Sequence, residues 1–144
     1  MIAADAVSLA GSLYMIIPFA FGTWRWGLAV WITVFLTELV KMATRGAPYT
    51  CLKRPTGASA CDAWAVGGDV TGAPGFPSGH VAVTAAFWTG AWLLAPAVWR
   101  PWVAVAGVAA VAVMGWARTH KRCHTWIQVI AGAMFGVEVS SLMI

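Results

Sequence analysis

Charge is what this sequence has least of. Only 10% of its 144 residues are Asp, Glu, Lys or Arg, against about 25% in an ordinary soluble domain. The hydrophobic share is 60%, with ten Trp, and the mean hydropathy is +0.77. That excludes intrinsic disorder, which requires low hydrophobicity and high net charge. It also excludes a water-soluble globule, because too few polar residues remain to cover a surface, so the expected solvent is lipid. No internal repeat and no low-complexity tract is present. The N-terminus lacks the basic segment of a signal peptide and carries Asp5 instead, so the first apolar stretch is expected to be a retained helix. The length is that of one domain, residues 1–144.

What is present is a series of apolar runs. Val7–Phe21, Trp26–Val40, His80–Ala95, Pro101–Trp116 and His124–Ile144 approach the length of a membrane span. The shorter ones would extend only ~23 Å as helices, so they must recruit interfacial residues or sit in a thin bilayer. Trp24, Trp26, Trp99, Trp102, Trp116 and Trp126 mark span ends, as an aromatic belt would. The expected fold is an all-α polytopic transmembrane bundle of about five spans. The exception to the apolar pattern is the loop from Lys41 to Gly79, which holds Pro48, Pro55, Pro74 and Pro77, four of the seven prolines. A loop of that length in a compact domain is usually functional or disordered.

Five spans place the 41–79 loop and the 117–123 turn on one face. That face collects Lys41, Arg45, Lys53, Arg54, Arg118, Lys121 and Arg122, and leaves only Arg25 and Arg100 for the other. The positive-inside rule reads the rich face as cytoplasmic, an inference that lapses if the cations bind an anion. Of the two acids in the apolar runs, Glu38 is one turn from Lys41 and suited to a cation partner. Glu138 has no evident partner, and both are expected at the bundle interior or its ends.

Three strings on this face carry chemistry. Gly75-Phe76-Pro77-Ser78-Gly79-His80 reads as a helix start: Pro77 ends the loop, Ser78 can cap the first N–H groups, and the helix end forms an anion site. Arg118-Thr-His-Lys-Arg-Cys-His124 with Gln128 makes a basic turn, His124 and Gln128 lying four apart on one helix face. Lys53-Arg54-Pro55, with Lys41 and Arg45 upstream, offers forked and point-charge donors for phosphate oxygens. Taken singly, each string fits an interfacial anchor equally well. Together on one face, two histidines and several cations suit phosphate ester hydrolysis: one imidazole attacks phosphorus, the other protonates the leaving oxygen, and cations hold the remaining oxygens.

On these residues the chain resembles the type 2 phosphatidic acid phosphatase (PAP2) and vanadium haloperoxidase superfamily. Pro77-Ser78-Gly79-His80 matches that family's middle motif completely. Arg118 and His124, with five residues between them, match the third, and Arg54-Pro55 looks like the first. The resemblance implies a metal-independent membrane phosphatase acting on a lipid phosphate or diphosphate monoester, with no cofactor. His124 would be the nucleophile that becomes a phosphohistidine and His80 the general acid. Lys41, Arg54, Ser78, the Gly79 backbone and Arg118 would bind the phosphoryl group. The implied partners are the lipid substrate and membrane lipids, not nucleic acid; no oligomeric state follows. Halide oxidation, the other activity of the superfamily, is disfavoured by the apolar spans.

Several positions depart from the family pattern. Ala47 stands where the family has Lys, so Lys41, Arg45 or Lys53 must substitute, Lys41 being preferred; Ala117 replaces a Ser. Gln128 replaces the Asp that holds the nucleophilic His. Gln can accept the same hydrogen bond but supplies no charge, and the comparable neutral change in a Ser-His-Asp hydrolase costs about 10⁴ in rate. The family's six-helix layout would also lose one helix, its first. These departures support the alternative of a weakened or non-catalytic member with a structural or headgroup-binding role. Zinc held by His120, Cys123 and His124 is opposed by the three cations of the same turn. On an oxidising face a Cys51–Cys61 bridge would brace the loop and leave Cys123 over; on a cytosolic face all three stay thiols.

Overall fold

The computed structural model describes residues 2–21, 23–62 and 67–144; Gly22 of the first connection and residues 63–66 of the long loop lie outside it. Among the described residues six α-helices follow in chain order: α1 (Ile2–Ser12), α2 (Ile17–Ala20), α3 (Trp24–Ala43), α4 (Gly79–Leu94), α5 (Arg100–His120) and α6 (Trp126–Met143). Three of them, α3, α5 and α6, are long and apolar enough to cross a membrane. The expectation of five spans is thus met in three. At 16 residues α4 falls short on length, and the first expected span is broken. The break has a local cause. Pro18 has no N–H to donate and its ring clashes with the carbonyl four residues back, so α1 ends at Ser12, a 3-10 turn covers Leu13–Met15, and α2 begins afresh with Pro18 in its first turn.

Helix α4 is the centre of the bundle. Its sequence is apolar all round, the pattern of a buried helix, and Val81 through Phe87 are all buried. Its end is dictated by Pro96: Ala95, the residue before the proline, is extended (φ −68°, ψ 142°) and stops the helix. Helix α6 lies so close to α4 that a Cβ on Gly132 would stand 2.5 Å from the Ser78 carbonyl oxygen, and one on Gly136 would stand 2.1 Å from that of Ala82. Small residues four apart permit that approach. Ser140 Oγ donates to the Ala86 carbonyl (2.8 Å) along the same seam.

The end of the bundle away from the long loop is plugged by aromatics. Tyr14 and Trp26 pack on Phe87, with ring centroids 4.4 and 4.7 Å apart. Trp26 therefore departs from the expected belt: it is 9% exposed, lies over Gly90 and donates from its indole nitrogen to the Phe87 carbonyl (2.9 Å). Trp24, Trp99, Trp102, Trp116 and Trp126 are exposed as the belt requires. Trp31, Phe35, Val105, Val108, Ile130 and Met134 are exposed as well, an apolar outer surface suited to lipid. Glu138 is exposed on α6 rather than turned inward.

The long loop is folded. Arg54 N donates to the Ala73 carbonyl and Gly75 N to that of Leu52, both at 2.8 Å, and isolated antiparallel bridges join Lys53 to Pro74 and Ser59 to Asp69. The chain after α5 turns through a left-handed residue. Arg122 has φ +56°, Cys123 N donates to the Arg118 carbonyl and Arg122 N to that of Thr119. This is a Schellman termination with Arg in the position usually held by Gly. It delivers Cys123 and His124 to the loop.

Candidate active site

Four helix ends meet at the loop: the C-termini of α3 and α5 and the N-termini of α4 and α6. Beside them the end of α1, the C-terminal part of α3, the start of α4, the folded loop and His124 line a cavity of about 620 Å³. Its polar wall includes Lys41, Arg45, Arg54, His80 and His124, with the acids Glu38 and Asp62. Its apolar wall includes Met15, Val34, Met42 and Val83. Gly79 lines it too, and Lys41 Nζ lies 3.2 Å from where a Gly79 Cβ would be. Of the three cations considered for the missing family Lys, Lys41 and Arg45 line the cavity and Lys53 does not. Lys41 pairs with Glu38, as their spacing suggested.

The remaining candidates do not line the cavity. Ser78 is fully buried at the start of α4, and its hydroxyl makes no capping bond, contrary to expectation. The reason is local: Ser78 N donates to the Gln128 carbonyl (3.0 Å), which ties the residue to α6 and leaves Oγ unpartnered. The N–H groups of the first turn, beginning at Gly79, have no carbonyl one turn behind them. Arg118 is also fully buried. Its Nη1 donates to Ser8 Oγ (3.0 Å) and its Nη2 to the Cys61 carbonyl (2.6 Å).

His124 lies just before the Thr125 cap of α6, not within the helix. Its Nδ1 is 2.8 Å from the Gly75 carbonyl oxygen and 3.1 Å from Gln128 Oε1. A carbonyl oxygen can only accept, so Nδ1 carries the proton and the neutral ring has its lone pair on Nε2. Burial, reinforced by the Arg118, Arg54 and Lys41 cations, holds the imidazole pKa well below its ordinary value. Gln128 is fully buried behind His124. It completes a capping box with Thr125, and its Nε2 donates to the carbonyls of Cys51 (2.9 Å) and Lys53 (2.8 Å).

Cysteine pairing differs from the expected bridge. Cys61 is bonded to Cys123, across 62 residues, and Cys51 is free and exposed. Sequence distance is the reason: Cys51 is closer to Cys61 along the chain, but the turn after α5 brings Cys123 against the folded loop, where Lys121 Nζ donates to the Ala60 carbonyl (2.9 Å) and pairs with Asp5. The zinc set is removed at the same time, because the Cys123 sulfur is committed. Sequence reasoning assigned no role to the Gly75 carbonyl or to Ser8. Gly75 enters the sequence reading only as the first residue of the helix-start string; in the structure a Cβ there would stand 3.0 Å from both Arg54 Cγ and Gln128 Oε1. Ser8 carries no motif.

Among the described residues, five buried side-chain polar atoms have no hydrogen-bond partner: Arg54 Nη1, Ser78 Oγ, His80 Nε2, Arg118 Nε and Trp88 Nε1. Buried polar groups are rarely left unpaired, and four of these five belong to residues expected to handle a phosphoryl group. No curated protein and no solved structure matches the chain. The family model of the PAP2 superfamily matches residues 22–144, from just before α3 to the last residue. The helix-end cavity, the Pro77–His80 motif and this match agree: the chain belongs to the PAP2 superfamily, a family of phosphatases.

Proposed function

We propose that the protein is an integral-membrane, metal-independent phosphatase that hydrolyses a lipid phosphate or diphosphate monoester through a phosphohistidine. The observation that carries this reading is the set of four unpartnered buried atoms on Arg54, Ser78, His80 and Arg118. They come from three separate segments and three of the four are obligate donors or hydroxyl, the complement an oxyanion requires.

In this mechanism His124 Nε2 attacks phosphorus while its Nδ1–H stays hydrogen-bonded to the Gly75 carbonyl and Gln128 Oε1. The bond from phosphorus to the lipid oxygen breaks, and His80 gives that oxygen a proton. Water, deprotonated by His80, then attacks the phosphohistidine, which frees inorganic phosphate and restores His124. Lys41, Arg54, Arg118, Ser78 and the Gly79 backbone stabilise the charge on the phosphoryl oxygens in both steps. The apolar wall of Met15, Val34 and Val83 suits a hydrocarbon tail. The Cys61–Cys123 disulfide supports an oxidising compartment on the site's side of the membrane. The seven cations of that face then read as phosphate ligands and structural donors rather than as a cytoplasmic topology signal.

A second reading, headgroup binding with little or no turnover, is favoured by one feature, the neutral Gln128. Phosphate release from short-chain phosphatidic acid in detergent, with a chelator present, separates the two. Release that is lost in His124→Ala and His80→Ala supports the phosphatase; absence of release from the parent chain sinks it.

A further inference from the structure

Gln128 touches more than the histidine. Its carboxamide makes four hydrogen bonds, and their chemistry fixes its orientation. The carbonyls of Cys51 and Lys53 accept only, so the amine end must face them, at 2.9 and 2.8 Å. The oxygen end then faces His124 Nδ1 (3.1 Å) and Thr125 N (3.2 Å). Lys53 immediately precedes Arg54, and the Arg54 backbone is bonded on its other side to Ala73. One side chain thus touches the nucleophile's ring and the chain that carries a phosphate-binding guanidinium.

We infer that Gln128 is a positioning residue whose two amide donors clamp the 51–53 chain, and with it Arg54, in register with His124. The inference rests on the phosphatase reading of the site. A carboxylate at this position, the family's usual residue, could not perform the clamp. It would supply no donor, leave the Cys51 and Lys53 carbonyls unpaired, and place a negative charge against them. The amide is therefore a functional replacement that exchanges charge at the histidine for a grip on the loop.

The test uses the full chain in detergent with inorganic phosphate as probe, titrated calorimetrically. Gln128→Met keeps the length of the side chain and removes the donors. It is expected to weaken phosphate about tenfold in the parent and less than about twofold in an Arg54→Ala background, because sites acting through one another are not additive. An equal step in both backgrounds, or no weakening, overturns the clamp. Gln128→Glu supplies a second readout that does not depend on the folding of the Met variant. It keeps an acceptor beside His124 and loses the donors, so phosphate is expected to weaken while the acidic limb of kcat/KM moves to higher pH. A Glu variant that binds phosphate as tightly as the parent, or whose limb stays in place, overturns the clamp as well. A parent chain that binds phosphate but releases none from phosphatidic acid defeats the phosphatase reading alone, and the Arg54 comparison still decides the clamp.

Discussion

The carbonyl oxygen of Gly75 stands 2.8 Å from Nδ1 of His124 and decides which nitrogen of that ring is free. This bond joins the loop to the turn before α6 and leaves the lone pair of the neutral ring on Nε2. The proton on Nδ1 is matched by acceptors without charge, while Arg118, Arg54 and Lys41 oppose a second proton. The pKa of His124 is therefore depressed, and the neutral form persists into acid. The acidic limb of kcat/KM is expected below the ordinary imidazole value of about 6.5. The same shift acts on stability with a definite sign. The unfolded chain binds the proton first, so the contribution of His124 is full above about pH 6.5 and is lost as pH falls through the folded-state pKa. A pH–rate profile whose limb lies above 6.5 contradicts this.

Gly136 is a contact on which the spacing of α4 and α6 depends. A Cβ there would lie 2.1 Å from the Ala82 carbonyl oxygen and 2.9 Å from Ala86 N, both backbone atoms. Gly136→Ala must push α6 from α4, and with it His124 from His80. A loss of about 1–3 kcal/mol is expected, read as a lowered midpoint of thermal unfolding in detergent, together with reduced phosphate release. Gly68→Ala, where no atom of the described residues lies within 4 Å of the added carbon, is the control and should be silent.

Which candidate residues gather was more legible in the sequence than the scaffold that gathers them. Arg54, His80 and His124 are marked by residue type and spacing, and parity alone placed them on one face. Lys41 was reachable because it ends an apolar run on that face. The break in the first span is not legible from hydropathy, although Pro18 is visible, because a proline within an apolar run does not interrupt its hydropathy. The inward turn of Trp26 is not legible either, because position along the chain does not say which way a ring points; Gly90, 64 residues later, makes the room it occupies. The cysteine pairing was beyond a linear reading for the same reason, since a left-handed Arg122 carries no glycine signal and yet turns Cys123 onto Cys61.

That disulfide closes the loop against the turn that bears His124, and Cys61 also supplies the carbonyl that holds Arg118. Cys61→Ser with Cys123→Ser should cost about 2–4 kcal/mol, because a covalent link across 62 residues restricts the unfolded chain. Activity should fall further than stability requires at a temperature where the variant stays folded, through the loosened Arg118. Cys51→Ser should leave both unchanged, since its side chain is exposed and it meets Gln128 through its backbone. Equal stability of the double Ser variant and the parent, by thermal unfolding in detergent, would falsify the tie.

Arg118 tests whether a planar fork is required or only a charge. Two of its nitrogens are taken by Ser8 Oγ and the Cys61 carbonyl, and its Nε–H is left unpartnered. Lys has one nitrogen and no such geometry. In Arg118→Lys the ammonium can satisfy at most part of this set, and each charge-assisted bond lost is worth roughly 1.5–3 kcal/mol. Phosphate affinity is expected to fall at least about tenfold although the charge is kept. Ser8→Ala removes one tether and keeps the guanidinium, so its loss should be smaller than that of the Lys variant. If Arg118→Lys binds inorganic phosphate as tightly as the parent, Arg118 serves as a point charge and its fixed orientation has no part in binding.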